Sequence, residues 1–118
     1  MKIYSADTWT IEELKDQIDD AGRRALVIPA ADSQRALLET FSEILDVQED
    51  SGVDLDILHD SLHDVADAVA DQDQAPVTFI WQVPAGFRAD RSFGVFCETL
   101  QDAESYAAGS LDVVAVFL

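Results

Sequence analysis

Residues 52–65, GVDLDILHDSLHDV, hold the densest set of side chains in the chain that could do chemistry. Asp54, Asp56, Asp60 and Asp64 offer carboxylates, and His59 and His63 offer imidazoles one helical turn apart. Paired carboxylates can move protons, and two histidines at i and i+4 can hold a metal. Neither chemistry is complete here. The zinc-protease pattern needs Glu directly after the first His and a distant third ligand. In this chain Asp60 follows His59, and there is no third histidine. Asp50, Asp54 and Asp56 invite comparison with a calcium loop, but Gly52 comes too early and no Glu closes a twelve-residue loop. The histidines are therefore read as surface groups beside acids. No metal and no cofactor is expected.

Other catalytic patterns are missing from the sequence. It has no glycine-rich phosphate loop, no nucleophile elbow and no CxxC pair. The single cysteine, Cys97, falls on an apolar helix face and reads as a core residue rather than a nucleophile. The chain is expected not to be an enzyme.

The elements that must position the acidic stretch follow from periodicity and caps. Lys2–Ser5 is read as a short strand. Thr10 and Glu13 have capping-box spacing before a helix with Ile11, Leu14 and Ile18 on one face, closed by Gly22. Ala25–Ile28, stopped by Pro29, reads as a buried strand. Asp32 or Ser33 caps a second helix that turns Leu37, Phe41, Ile44 and Leu45 inward. An acidic loop follows from Asp46 to Val53. Asp54 caps a third helix whose apolar side is Leu55, Leu58, Leu62, Val65 and Val69, with a polar loop from Asp71. The run VTFIWQV, Val77–Val83, is strongly β-prone. Pro84–Asp90 reads as a loop. Asp90 or Ser92 starts a helix with Phe93, Phe96, Cys97 and Leu100 inward, and Asp112–Leu118 is a final strand. Helices alternating with unbroken apolar strands predict a parallel sheet covered by helices.

The net charge of −17 over 118 residues predicts repulsion from nucleic acid and from anionic membrane, and attraction to basic partners. Asp outnumbers Glu, and Lys2 and Lys15 are the only lysines, a balance that also fits a salty cytoplasm. Position says more than the total. No Lys or Arg occurs between Arg35 and Arg88, where about half of the acids lie. On the third helix Asp56, Asp60, His63 and Asp67 gather on a solvent side of one sign, where mixed signs are normal. Glu98 points away from the apolar face of the later helix. Rigid carboxylates of this kind can imitate phosphates before a basic, concave partner. The N-terminal residues lack the apolar stretch of a signal peptide, and Cys97 has no internal disulfide partner, so the expected compartment is the cytoplasm.

The pattern Gly52-x-Asp54-Leu55-Asp56-x-Leu58-x-Asp60-x-Leu62 resembles the barstar signature, usually Gly-x-Asn-Leu-Asp-Ala-Leu-x-Asp-x-Leu. Ala75-Pro-Val-Thr-Phe-Ile-Trp81 resembles that family's Pro-bearing strand ending near Trp, and Val95-Phe-Cys-Glu98 resembles the helix with a contact Glu. Barstars are intracellular inhibitors of secreted, guanyl-preferring ribonucleases of the barnase type. The resemblance spans roughly residues 25–118 and implies an α/β fold: a small three-stranded parallel sheet packed by helices. Residues 1–24 then form an N-terminal extension packed on the domain, able to add an edge strand and a helix.

The resemblance also implies a site. Its inhibitory helix is 54–69 with the loop before it, its acidic contacts match Asp56, Asp60 and Glu98, and Asp60 enters the ribonuclease's phosphate site. Asp50, Gly52, Asp54, His59 and His63 complete the expected partner-binding set. The chain departs from the family where Asp50 and Ser51 replace aromatics, Asp54 replaces Asn, and His59 replaces an aromatic. Two alternatives stand beside this reading. One is an acidic interaction module for a different basic protein. The other is a small metal-binding protein using His59, His63 and nearby acids.

Overall fold

The computed structural model of the chain describes residues 1–46 and 54–118. Its elements are β1 (Lys2–Ser5), α1 (Ile11–Asp20), β2 (Arg24–Ile28), α2 (Gln34–Leu45), α3 (Leu55–Asp71), β3 (Val77–Val83), α4 (Ala85–Arg88), α5 (Arg91–Ala107) and β4 (Leu111–Phe117). The strands form one parallel sheet in the order β1-β4-β3-β2. The sheet thus has four strands, where the resemblance implied three. The fourth is β1, which pairs with β4 from Lys2 against Val114 to Ser5 against Phe117.

Strand alternation divides the core into two layers. Phe79, Trp81 and Val83 of β3, with Leu111, Val113 and Ala115 of β4, face a layer filled by α2, α3 and α5 through Phe41, Leu58, Leu62, Phe96 and Leu100. Ile80, Val114 and Val116 face the other way and meet Leu14 of α1, with Ile11 and Ile18 at its margin. Residues 1–24 pack on the rest through both β1 and α1. Helices on both faces are why β3 and β4 read as unbroken apolar runs.

The expected caps form. Thr10 Oγ1 accepts the Glu13 N–H at 3.1 Å in a complete capping box. Ser33 rather than Asp32 caps α2, and Asp90 rather than Ser92 caps α5. Gly22, at φ +76°, takes the left-handed turn that lets the chain leave α1. Arg23 then binds the lower sheet. It donates to Thr78 Oγ1 at 2.8 Å and to the carbonyls of Val77 and Gly109 at 3.0 Å, and it pairs with Asp112 at 3.1 Å. This satisfies Thr78, a buried polar side chain.

Three local expectations change. Ala25–Ile28 is covered on both faces, but it lies at a sheet edge and only Ile28 is fully buried. The Pro84–Asp90 segment contains a single helical turn, α4, because Phe87 turns into the core against Trp81, ring centroids 6.1 Å apart. The third helix runs on to Asp71 before the polar loop begins. The acidic loop expected beyond Asp46 falls, for residues 47–53, outside the described residues. Among the described residues no helix is long and apolar enough to cross a membrane.

Candidate protein-docking face

Helix α3 begins where Asp54 leaves its extended conformation and its Oδ1 accepts the Ile57 N–H at 2.9 Å. Leu58, Leu62, Ala66 and Val69 anchor it in the core, with Leu55 and Val65 half-buried beside them. That buried stripe fixes the rotation of the helix and leaves Asp56, Asp60, Asp64 and Asp67 exposed. Among the described residues none of these four lies within ion-pair distance of Lys or Arg. The Asp60 side chain is 85% exposed, and among the described residues its one ion-pair contact is the His59 imidazole, with Nδ1 3.7 Å from Asp60 Oδ1.

This face works against its own helix. Asp56, Asp60 and Asp64 are successive i,i+4 pairs of like charge, each costing about 0.2–0.5 kcal/mol. Asp54 and Asp56 recover part of that at the positive N-terminus, whereas Asp67 and Asp71 sit toward the negative C-terminus with no basic residue in the last turn. The core stripe holds the helix in place regardless.

His59 and His63 are not the plain surface groups expected. Both are half-buried, with ring centroids 4.1 Å apart. His63 also stacks on Tyr106 of α5 at 3.9 Å, the planes within 4° of parallel. The His59 and His63 planes are tilted by 48°, so His63 meets one ring at an angle and the other flat, and the three rings form a cluster across the α3–α5 seam. The Tyr106 hydroxyl donates to Asp67 Oδ1 at 2.7 Å. That hydrogen bond, then burial, then the charges of Asp67, Asp71 and Asp64 hold the Tyr106 phenol above its ordinary pKa. Among the described residues no group of three or more His, Cys, Asp or Glu is gathered as a metal site.

Tyr106 escaped the sequence reading. One signal was available: Glu98, Asp102 and Tyr106 recur at four-residue spacing on α5. What could not be read was that this face meets α3. Each of the two helices leads directly into one of two adjacent parallel strands, so they run in the same direction. Glu98 is exposed two turns before Tyr106, about 12 Å along the axis, toward the end of the seam where Asp56 lies. Cys97, beside it, is half-buried against the core, and burial pushes its thiol pKa up, away from nucleophile chemistry.

Of the expected partner-binding residues, Asp54, Asp56, His59, Asp60 and His63 lie on α3 and Glu98 on its neighbour α5. Asp50 and Gly52 fall outside the described residues. The chain matches no family model, and no curated protein and no solved structure matches it significantly.

Proposed function

We propose that the chain is a barstar-like, nonenzymatic inhibitor that lays α3 into the active-site cleft of a basic, guanyl-preferring ribonuclease. One observation carries this reading: α3 is rooted in the core yet presents carboxylates of a single sign that, among the described residues, have no Lys or Arg partner. Folding alone gives that pattern no use. A ribonuclease cleft already arrays Arg and Lys for phosphate, so fixed carboxylates meet groups desolvated and aimed for them. Asp60 takes the phosphate position, Asp56 and Glu98 bind at its margins, and Asp54 holds the helix start. The ordered resemblance across residues 25–118 adds to this, and the cytoplasm is where an inhibitor protects a cell that secretes such an enzyme.

The test is an inhibition titration against a purified barnase-type ribonuclease over a salt series. Stoichiometric inhibition is expected, with an association rate that falls as salt rises. Undiminished RNA cleavage at a large excess of the chain would refute the ribonuclease assignment.

A specific observation favours a second reading, an acidic module for another basic protein. His59, which stands at a family aromatic position, spends its ring on His63 instead of projecting freely.

A further inference from the structure

The second half of α3 carries a feature that the ribonuclease reading does not use. Tyr106 is 50% exposed although one ring face lies flat on His63. Its hydroxyl bond to Asp67 fixes the ring's orientation. Among the described residues its other face meets no aromatic ring and no cation. Asp67 binds its hydroxyl, and Asp64 and Asp71 stand exposed one turn to either side of Asp67 on α3. These acids occupy the negative end of α3, where the helix supplies no cation of its own.

We propose that Tyr106, backed by His63 and bonded to Asp67, with Asp64 exposed on the same half of α3, seats one arginine side chain of the basic partner and makes this face prefer arginine to lysine. The proposal rests on the reading of α3 as a docking face for a basic protein, and it extends that face across the seam to α5. The chemistry selects the occupant. A guanidinium is planar, so it stacks on the open face of the phenol while its edge donates to a carboxylate. An ammonium is a compact point charge. It meets the same carboxylates but gains little from the ring. Asp67 uses one oxygen on Tyr106 and keeps acceptor capacity for an incoming N–H.

The experiment uses the full chain with fluorescein-labelled nona-arginine and nona-lysine peptides, their affinities read by anisotropy at fixed ionic strength. Wild type is expected to bind the arginine peptide about 2- to 5-fold more tightly than the lysine peptide, the worth of one exposed cation–π contact. Tyr106→Leu keeps apolar bulk and should erase most of that preference while leaving lysine-peptide affinity nearly unchanged. Tyr106→Phe keeps the ring and should keep the preference. Asp64→Asn, an exposed change, is the second variant should Tyr106→Leu misfold, and it should weaken arginine binding more than lysine binding. Asp60→Ala should weaken both peptides alike. Equal affinities in wild type, or an arginine preference that survives both Tyr106→Leu and Asp64→Asn, overturn the seat while leaving the acidic docking face in place. No binding of either peptide removes the seat and the docking face together.

Discussion

Asp60→Ala separates what a residue does for its helix from what it does for a partner. In the folded chain Asp60 is almost fully solvated, and among the described residues its one ion-pair contact is the His59 imidazole. Losing that contact costs about 0–1 kcal/mol. Removing the charge relieves two i,i+4 repulsions, from Asp56 and Asp64, worth about 0.2–0.5 kcal/mol each, and alanine adds a few tenths of helix propensity. The opposing effects nearly cancel, so the variant should melt within about 5 °C of the wild-type temperature. Binding should respond in the opposite sense. If Asp60 sits among the ribonuclease's phosphate-binding cations, its loss leaves them buried and unpaired, at about 2–5 kcal/mol, a range drawn partly from barnase–barstar itself. That is roughly 30- to 4,000-fold weaker inhibition, mostly as faster dissociation. The matched control is Asp16→Ala. Asp16 is an exposed acid on α1, the helix on the opposite face of the sheet. It should alter only long-range attraction. The assay is one melting curve and one inhibition constant per variant. Equal, small losses of inhibition for Asp60 and Asp16 would mean that α3 contributes bulk charge alone, and the phosphate-site role would be lost.

Leu62→Ala, at a fully buried position on the inner side of α3, should cost about 2–5 kcal/mol in denaturant unfolding. A wild-type midpoint would disprove the assigned rotation of the helix. Asp90 accepts the Ser92 N–H at 2.8 Å, and that backbone bond above all holds its carboxyl below the ordinary value. A lowered folded pKa means that its contribution is present above the usual carboxylate range and fades as pH falls through the lowered value. Any melting difference between wild type and Asp90→Asn should therefore change only at acid pH, and a difference confined to alkaline pH contradicts the cap. Tyr106 has the opposite sign: a raised phenol pKa means stabilisation present below the ordinary tyrosine range and lost as pH rises through the raised value. Ultraviolet titration of the folded chain should show one tyrosine ionising later than free tyrosine, and Asp67→Asn should bring it back; no response to Asp67→Asn argues against the 2.7 Å bond.

Local chemistry made much of the fold legible. The box of Thr10 and Glu13 and the cap at Asp54 each depend on residues three apart, and both form as the sequence implies. VTFIWQV could hardly be anything but a strand between two layers. What failed to show was adjacency. A four-residue segment such as Lys2–Ser5 can be read as a strand, but it carries no information about which strand it joins, and so its place beside β4 was not legible. An apolar run such as Ala25–Ile28 says that both faces are covered but not that a neighbour flanks each edge. The turn at Ala85–Arg88 was hidden by Pro84 and Gly86, which punctuate a sequence even where a buried Phe87 winds it up. The acidic face of α3 was visible as a periodic pattern. The His59–His63–Tyr106 cluster was not, because its last ring belongs to a helix some forty residues away whose packing no periodicity specifies.

The order β1-β4-β3-β2 has a consequence for how the chain comes into being. β1 is synthesised before the other three strands of its sheet yet pairs with β4, which follows them, since Lys2 lies against Val114. Until β4 is synthesised, β1 has no edge to join, and the apolar side of α1 lacks the Val114 and Val116 surface it will cover. The β2–β3 ladder can assemble earlier, through the α2–α3 crossover, and β4 then adds to β3. Pairing of β1 is the contact of greatest sequence separation and highest loop-closure entropy, the kind that forms late and slowly. The expectation is that α3 docks on a three-stranded sheet before β1 closes its edge, so that clipping β1 takes away an edge strand rather than the framework beneath α3.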